Sequence, residues 1–145
     1  MESLRPLTRT ARVAVVALGV FFLAAAVILV SVGGALLWPG TPLDAIWRIR
    51  PDRQALLVPY AHLGGPAFLL LAIPAVLASA GVFRRKRWGW WLAVGALAAN
   101  GAGDAVQIVV GRPAEGVFGM NVAGTIIFGL TRPSMRAAFS PARTR

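Results

Sequence analysis

Four long apolar runs follow one another along the chain, and short segments that carry charged residues separate them. The runs lie at 13–38, 61–83, 88–110 and 114–131. An α-helix rises about 1.5 Å per residue, so that about 20 apolar residues cross the ~30 Å hydrocarbon core of a bilayer. The pattern therefore predicts an all-α membrane protein, in which residues 1–145 form a single membrane domain, a bundle of four transmembrane helices.

The first and the fourth run each have an alternative interpretation. A cleavable signal peptide also begins with an apolar segment, but that segment is usually about 7–15 residues long and is followed by a small-residue cleavage site. The fourth run is the shortest and the richest in glycine. If it does not cross the bilayer, it is a re-entrant or interfacial segment, and the C-terminus lies outside.

The segment 39–60 is the largest loop, and we expect it on the outer side of the membrane. Thr41, Pro42 and Asp44 are typical of a helix start, as N-cap, first-turn proline and acidic third residue. Asp44 and Arg48 have the i, i+4 spacing of a helical ion pair. This short amphipathic helix lies either on the outer membrane surface or as an ordered turn over the bundle. Its apolar face is formed by Leu43, Ile46 and Trp47.

The composition agrees with a bilayer as the main solvent. Of the 145 residues, 57% are hydrophobic and 14% are charged, and the mean hydropathy is +0.70. Soluble domains are about half apolar and a quarter charged. A chain of this length forms one domain, so that we expect no separate soluble catalytic domain.

The net charge of +10 comes from basic residues at the ends of the apolar runs. Such residues are topology signals, and they do not form the continuous basic face that nucleic-acid binding requires. With a cytoplasmic N-terminus, eleven of the 15 basic residues lie inside, as the positive-inside rule predicts. We therefore expect an inner (plasma) membrane protein with both termini, the hairpin 84–87 and the tail 132–145 in the cytoplasm. The inner set is Arg5, Arg9, Arg12, Arg84, Arg85, Lys86, Arg87, Arg132, Arg136, Arg143 and Arg145, and the outer set is Arg48, Arg50, Arg53 and Arg112.

The hairpin is also a candidate site for lipid headgroups. A basic residue near an anionic membrane surface contributes about 1 kcal/mol to binding, and the tryptophans that follow are typical of a membrane interface. We expect the hairpin to bind anionic headgroups at the cytoplasmic face. The four candidate residues are Arg84, Arg85, Lys86 and Arg87.

Asp104 is the most informative polar residue, because a carboxylate within a transmembrane helix costs roughly 2.5–3.5 kcal/mol on insertion scales and seldom faces lipid. Asn100 and Gln107 share its helix face, and Asn121 of the fourth run lies at a similar predicted depth. One interpretation is a small polar cavity that binds a proton, ion or polar ligand. The other is that these side chains only hold the bundle together, with Asp104 protonated or paired with Arg112.

Small residues form a second stripe on the third run. Gly95, Ala99 and Gly103 recur at i, i+4 and i+8. Small residues let helices approach closely within a membrane. We therefore expect this stripe to face a neighbouring helix of the bundle.

Three residues are candidates at the outer interface: Tyr60 and His62, where the second run begins, and Arg112, where the third run ends. His62 is the sole histidine, and no acidic residue stands near it at the spacing of metal ligands, so that we expect no metal. The absence of cysteine excludes disulfides and thiolate chemistry. No Ser-His-Asp arrangement or phosphate-binding loop is present, and we expect no cofactor and no enzyme activity.

Several motifs resemble a loose group of small, uncharacterised bacterial inner-membrane proteins with four spans. They are Pro39-Gly40-Thr41-Pro42-Leu43-Asp44 with Trp47-Arg48, the stretch Arg84 to Trp91, Gly103-Asp104, and Arg132-Pro133 with Arg136-Ala137-Ala138-Phe139. The outer-loop piece is the most distinctive. The resemblance implies the four-span architecture and no particular activity.

Two functions compete, and a membrane enzyme that uses Asp104 or His62 is a more distant third. The first is a non-enzymatic accessory or assembly component of a membrane complex, favoured by short loops and stripes of small residues. The second is a small oligomeric transporter or ligand-binding membrane protein with a polar cavity around Asp104. Small multidrug exporters are similar in size and span number, but their membrane glutamate in span one has no counterpart in 13–38.

Overall fold

The computed structural model describes residues 8–49, 51–109 and 111–139. The described residues are 90% helical and include no strand, so that the prediction of an all-α fold is confirmed. Some residues that enter the predictions from the sequence lie outside the described ranges. They are Arg50, Val110 at the end of the third run, and Arg5, Arg143 and Arg145 near the termini.

Within the described ranges, the fold consists of six α-helices and two short 3₁₀ helices. Four helical segments are long and apolar enough to cross a membrane: Arg9–Leu37, Pro51–Phe83, Arg87–Val109 and Pro113–Thr131. In chain order the elements are α1 (Arg9–Leu37), η1 (Pro42–Arg48), α2 (Pro51–Leu57), η2 (Val58–Tyr60), α3 (Ala61–Phe83), α4 (Arg87–Val109), α5 (Pro113–Thr131) and α6 (Pro133–Ala138). The letter η denotes a 3₁₀ helix.

A Schellman motif ends α3 and starts the hairpin 84–87. The Lys86 N–H donates to the Gly81 carbonyl, and the Arg85 N–H donates to the Val82 carbonyl, both at 2.9 Å. The motif requires a left-handed residue after the helix, usually glycine. Here that residue is Arg85, with φ 53°, a conformation that costs a residue with a side chain roughly 1–2 kcal/mol. The surrounding contacts must therefore hold it in place.

After α4, a glycine occupies the corresponding left-handed position. Gly111 has φ 87°, and the Arg112 N–H donates to the Gln107 carbonyl at 2.9 Å. Pro113 then occupies the first turn of α5, where its missing N–H has no helical partner to lose. The short turn reverses the chain, so that α4 and α5 form an antiparallel pair.

Residues Val20–Val76 form one of two compact units. In it, α1 and α3 approach closely at two glycines. A Cβ atom added to Gly33 would lie 2.9 Å from the Gly65 carbonyl oxygen, and one added to Gly65 would lie 2.6 Å from Leu37 Cγ. These glycines therefore set the distance between the two helices in this unit.

Trp47 anchors the loop of the same unit. Its side chain is buried, and together with Ala35 and Leu36 it forms a small apolar core. The loop therefore packs on its own unit as an ordered turn. This is one of the two arrangements expected from the sequence.

The predicted ion pair between Asp44 and Arg48 is wrong. Asp44 Oδ2 instead accepts a hydrogen bond from the Gly40 N–H at 2.7 Å. Thr41 occupies the N-cap position, but its hydroxyl donates to the Trp38 carbonyl at 2.9 Å instead of capping the helix. The physical reason is the helix type: a 3₁₀ helix has three residues per turn, so that positions i and i+4 lie on different faces.

The second unit comprises the described residues of Met1–Gly19 and Leu77–Arg145. Here the end of α3 meets the start of α1, where the Ser79 hydroxyl donates to the Gly19 carbonyl at 2.9 Å. The end of α3 also meets the start of α4, where Gly81 and Gly89 lie in backbone contact. A Cβ atom added to Gly81 would lie 2.6 Å from Gly89 Cα.

Candidate functional site around Asp104

The buried face of α4 positions Asp104 against α5. Trp90, Ala93, Leu97 and Asp104 are buried on this helix, and their spacing of three, four and seven residues places them on one face. The pair is aligned along its length. Trp90 meets Leu130 near one end, and Asp104 meets Gly116 and Gly119 near the other.

Asp104 is only 9% exposed, and its side chain bonds within its own helix. The Asn100 amide donates to Asp104 Oδ2 at 2.9 Å. Asn100 precedes Asp104 by one helical turn and itself stays exposed. The structure therefore brings together two of the predicted polar residues, as neighbours on one helix.

Two glycines of α5 make room for this segment of α4. Gly119 lies directly against the Asp104 carboxylate, and Gly116 lies against the Asp104 backbone carbonyl and Ile108. A Cβ atom added to Gly116 would lie 2.6 Å from Ile108 Cγ1. The Asp104 carboxylate thus fills space in the contact between the two helices.

Asn121 does not join Asp104. Its amide donates to the carbonyl of Val117 in its own helix at 2.8 Å, and its side chain is exposed. Asn121 lies on the face of α5 that points away from buried Ala123 and Leu130. The structure therefore does not bring Asn121 to Asp104, because similar depth along two helices does not fix the rotation of either.

Gln107 lies three residues after Asp104 and is half-buried. Its backbone carbonyl oxygen accepts a hydrogen bond from the Arg112 N–H in the turn after α4. Asp104 and Arg112, the acid and the base considered as a pair, are also separate. In the described part of the chain, the Asp104 carboxylate accepts a hydrogen bond from Asn100 and makes no bond to Arg112. Arg112 is half-buried.

The stripe of Gly95, Ala99 and Gly103 contacts no other helix among the described residues. All three residues are exposed, and a Cβ atom added to Gly95 or Gly103 would meet nothing within 4 Å. This expectation is wrong. The large side chains of Trp90 and Leu97 occupy the buried face instead, and the small stripe lies on the opposite side of the helix.

The outer-interface candidates Tyr60 and His62 are exposed. They belong to the unit Val20–Val76, whereas Asp104 and Arg112 belong to the other unit. Within the described ranges, no group of three or more His, Cys, Asp or Glu residues has a geometry suited to a metal ion.

Sequence reasoning missed a dense contact where α4, α5 and α6 meet. The Trp90 indole donates to the Leu130 carbonyl at 3.1 Å, and the Arg136 guanidinium lies over the Trp90 ring, 5.5 Å from its centroid. The Arg85 guanidinium donates to the Ala138 carbonyl at 3.0 Å. The available signal was the presence of both arginine and aromatic residues in 84–91 and in 132–139, but this composition is equally typical of a membrane interface.

An apolar cavity of about 480 Å³ lies within the unit Val20–Val76. Its charged lining residue is Arg53, and the rest of the lining is apolar. A lining of this kind suits a hydrocarbon chain better than a proton, ion or polar solute. The apolar lining residues are Ile28, Val32, Ile46, Trp47, Ile49, Leu56, Leu57 and Phe68.

Comparison of the chain with protein-family models, curated proteins and solved structures finds no match.

Proposed function

We propose that this chain is a multi-pass membrane protein that acts as a non-enzymatic accessory or assembly component of a membrane complex. In this proposal α1, the segment Pro51–Phe83, α4 and α5 each cross the bilayer, and both termini lie in the cytoplasm. The four helical segments are long and apolar enough to do so. The bias of basic residues toward the ends proposed as cytoplasmic supports the orientation.

The contact between Asp104 and Gly119 carries this proposal. A transported ion or polar ligand needs space next to the carboxylate, but that space is taken by α5. The Asp104 hydrogen bond to Asn100 also stays within one helix. Asp104 is therefore suited to a role in helix packing, which is consistent with a protein that has no transport activity of its own.

A flux assay separates the accessory role from transport. The purified chain and an Asp104→Asn variant are reconstituted into liposomes that contain a pH-sensitive dye. We expect both to leave the proton permeability of the vesicles unchanged. Proton flux with the parent chain that is lost in Asp104→Asn would support the transporter around Asp104 and contradict the accessory role. Purification in a mild detergent, followed by mass spectrometry, would then identify the complex.

The topology has its own test, because the chain contains no cysteine. Single cysteines at Asp52 and Glu115, which lie at the start of α2 and α5, should react with an impermeant maleimide in intact cells. Single cysteines at Lys86 and Ala142 should react only after the cells are opened; Ala142 lies outside the described residues. Labelling at 142 in intact cells, but not at a single cysteine at Ser3, which also lies outside the described residues, would show that the number of crossings is odd.

In the same orientation, the hairpin 84–87 faces the cytoplasmic headgroups. Arg84, Lys86 and Arg87 are exposed and Arg85 is half-buried, so that most of the hairpin charge is accessible to anionic lipid. We expect the protein to retain anionic lipid through mild purification. Replacement of Arg84, Lys86 and Arg87 by glutamine should lower the amount retained, as measured by lipid mass spectrometry.

A further inference from the structure

One charged side chain lies at the apolar cavity of the unit Val20–Val76. The cavity has a volume of about 480 Å³, and its charged lining residue is Arg53. Apart from the Trp47 indole, the other lining side chains are hydrocarbon, and they come from α1, the loop and α3. A ligand that matches both parts of this lining has an apolar body and a negatively charged head.

The cavity is closed on one side and open on the other. Trp47 is buried and belongs to the closed side, whereas Ile28, Ile49 and Leu56 are exposed. Exposed apolar side chains around a cavity gain from contact with a hydrocarbon chain. The open side also gives a ligand in the bilayer a way into the cavity.

The lining extends from the loop along α1. Val32 and Ile28 lie five and nine residues before Leu37, the end of α1, which corresponds to about 8 and 14 Å along the helix. In the proposed topology, Arg53 lies near the outer headgroups and Ile28 lies within the hydrocarbon. An amphiphile in a bilayer has the same direction, with its head at the interface and its tail below.

Arg53 is positioned to meet a ligand head at the surface. Its side chain is 29% exposed, and its Nε lies 3.8 Å from Oδ2 of Asp52, whose side chain is 60% exposed. An ion pair this exposed contributes little to stability. A guanidinium can hold a carboxylate through two parallel hydrogen bonds, so that a ligand carboxylate can compete with Asp52 for it.

We propose that the cavity binds one long-chain fatty acid, with its carboxylate at Arg53 and its chain along the apolar lining. Cavities of about 300–1,000 Å³ hold ligands of drug size. One long acyl chain is of that size, whereas a phospholipid with two chains is too large to enter whole. The hydroxyl groups of a lysophospholipid head would need polar partners that this lining lacks, but a carboxylate needs only the guanidinium. This site goes beyond the accessory role and does not depend on it.

Photo-cross-linking tests the site in the full-length chain. The chain is reconstituted in nanodiscs of neutral phosphatidylcholine with palmitic acid that carries a diazirine in the middle of its chain. After irradiation, mass spectrometry of peptides locates the label. We expect it on lining residues of α1 and α3 such as Val32 and Phe68. A label spread equally over exposed apolar residues elsewhere, such as Val106 and Phe118, would overturn the site.

Competition with unlabelled amphiphiles tests the choice of ligand. Hexadecanol has the same chain as palmitate and no charge. At about pH 9, where the carboxyl group is ionised, it should compete about tenfold less well, which corresponds to about 1.4 kcal/mol. Phosphatidylglycerol and lysophosphatidylglycerol should compete no better than hexadecanol. Equal competition by hexadecanol and palmitate would overturn the role of the charge, and competition by either phospholipid as strong as that of palmitate would overturn the fatty acid.

Variants test whether Arg53 supplies the selectivity. Arg53→Gln should remove the advantage of palmitate over hexadecanol, and Arg53→Lys should keep part of it. Arg48→Gln is the matched control, since Arg48 is an exposed arginine of the same loop that does not line the cavity. An equal loss in Arg48→Gln would show that only the overall charge matters and would overturn the site. The comparison of palmitate with hexadecanol uses the parent chain, so that it decides the proposal even if a variant does not fold.

A bulky residue tests the cavity itself. Val32→Trp should fill the space and lower labelling by palmitate and hexadecanol competition alike. Ile73→Trp is the control, because Ile73 is 55% exposed on α3 and lies outside the lining. Labelling that Val32→Trp leaves at the parent level would mean that the chain lies elsewhere, and it would overturn the proposal.

Discussion

The Trp90 indole N–H donates a hydrogen bond to the Leu130 carbonyl oxygen, 3.1 Å away and buried from solvent. The last carbonyls of a helix have no N–H partner within it, and Pro133 shortly after α5 supplies no N–H of its own. The indole therefore satisfies a carbonyl that the end of α5 leaves free. This bond links the start of α4 to the end of α5.

Replacement of Trp90 by phenylalanine should keep much of the packing and remove this bond. Because the Leu130 carbonyl would then be buried without a donor, we expect a loss of about 1–3 kcal/mol in the free energy of unfolding. Equilibrium unfolding in mixed detergent micelles measures this loss. Trp38→Phe is the control, because Trp38 is 57% exposed. Equal effects of the two variants would contradict the importance of the bond.

Gly119 and Asp104 should be coupled in a double-mutant cycle. The methyl group in Gly119→Ala would overlap the Asp104 carboxylate, and overpacking of this kind typically costs about 1–3 kcal/mol. In an Asp104→Ala background the carboxylate is gone, and the same methyl group should be tolerated. A coupling energy near zero in equilibrium unfolding would mean that the carboxylate does not lie against Gly119.

Asp104→Asn and Asp104→Leu should differ in stability. Asparagine has nearly the same shape, and its oxygen can accept the hydrogen bond from Asn100, so that we expect Asp104→Asn to unfold within about 1 kcal/mol of the parent. Leucine places two bulkier methyl groups where the carboxylate oxygens meet Gly119, and it removes the acceptor. We expect Asp104→Leu to lose about 2–4 kcal/mol from the lost bond and the overlap together. Thermal unfolding in one detergent compares the three proteins, and a more stable Asp104→Leu would contradict the packing role.

Replacement by alanine should lower the stability at glycines in backbone contact with another helix and raise it at glycines in open space. Gly81→Ala and Gly89→Ala each place a methyl group against the backbone of the other helix, and we expect each to lose about 1–3 kcal/mol. Gly95→Ala and Gly103→Ala place it in open space, where the gain in helix propensity is about 0.5–1 kcal/mol. Melting temperatures of the four variants test the assignment. A more stable Gly89→Ala would show that the two helix ends are farther apart.

The extent of the long helices could be predicted from the sequence, because a run of apolar residues bounded by charges leaves few alternatives for the backbone. The side of α4 that packs against α5 could not be predicted from the sequence. Gly95, Ala99 and Gly103 allow a close approach but offer few atoms for contact, whereas Trp90 and Leu97 make more extensive van der Waals contacts and Trp90 adds a hydrogen bond to α5. Only the partner surface on α5 decides which face packs.

Two local features could not be predicted from the sequence, for similar reasons. The loop helix η1 is a 3₁₀ helix, and seven residues with a proline start suit either helix type. Burial of Trp47 against Ala35 is a tertiary contact that selects one of them. The Asp104 environment likewise depends on Gly119, because the absence of a side chain there leaves room for the carboxylate.

The bond from Arg85 to Ala138 has a consequence for folding during biosynthesis. The two residues are 53 positions apart, so that Arg85 leaves the ribosome well before its acceptor has been made. A nascent chain must hold the left-handed turn at Arg85 without that bond until α6 has been translated. A nascent chain arrested before Pro133 should therefore be cut at the hairpin 84–87 by trypsin faster than the released protein is, and equal rates of cleavage would show that the turn is already secure during translation.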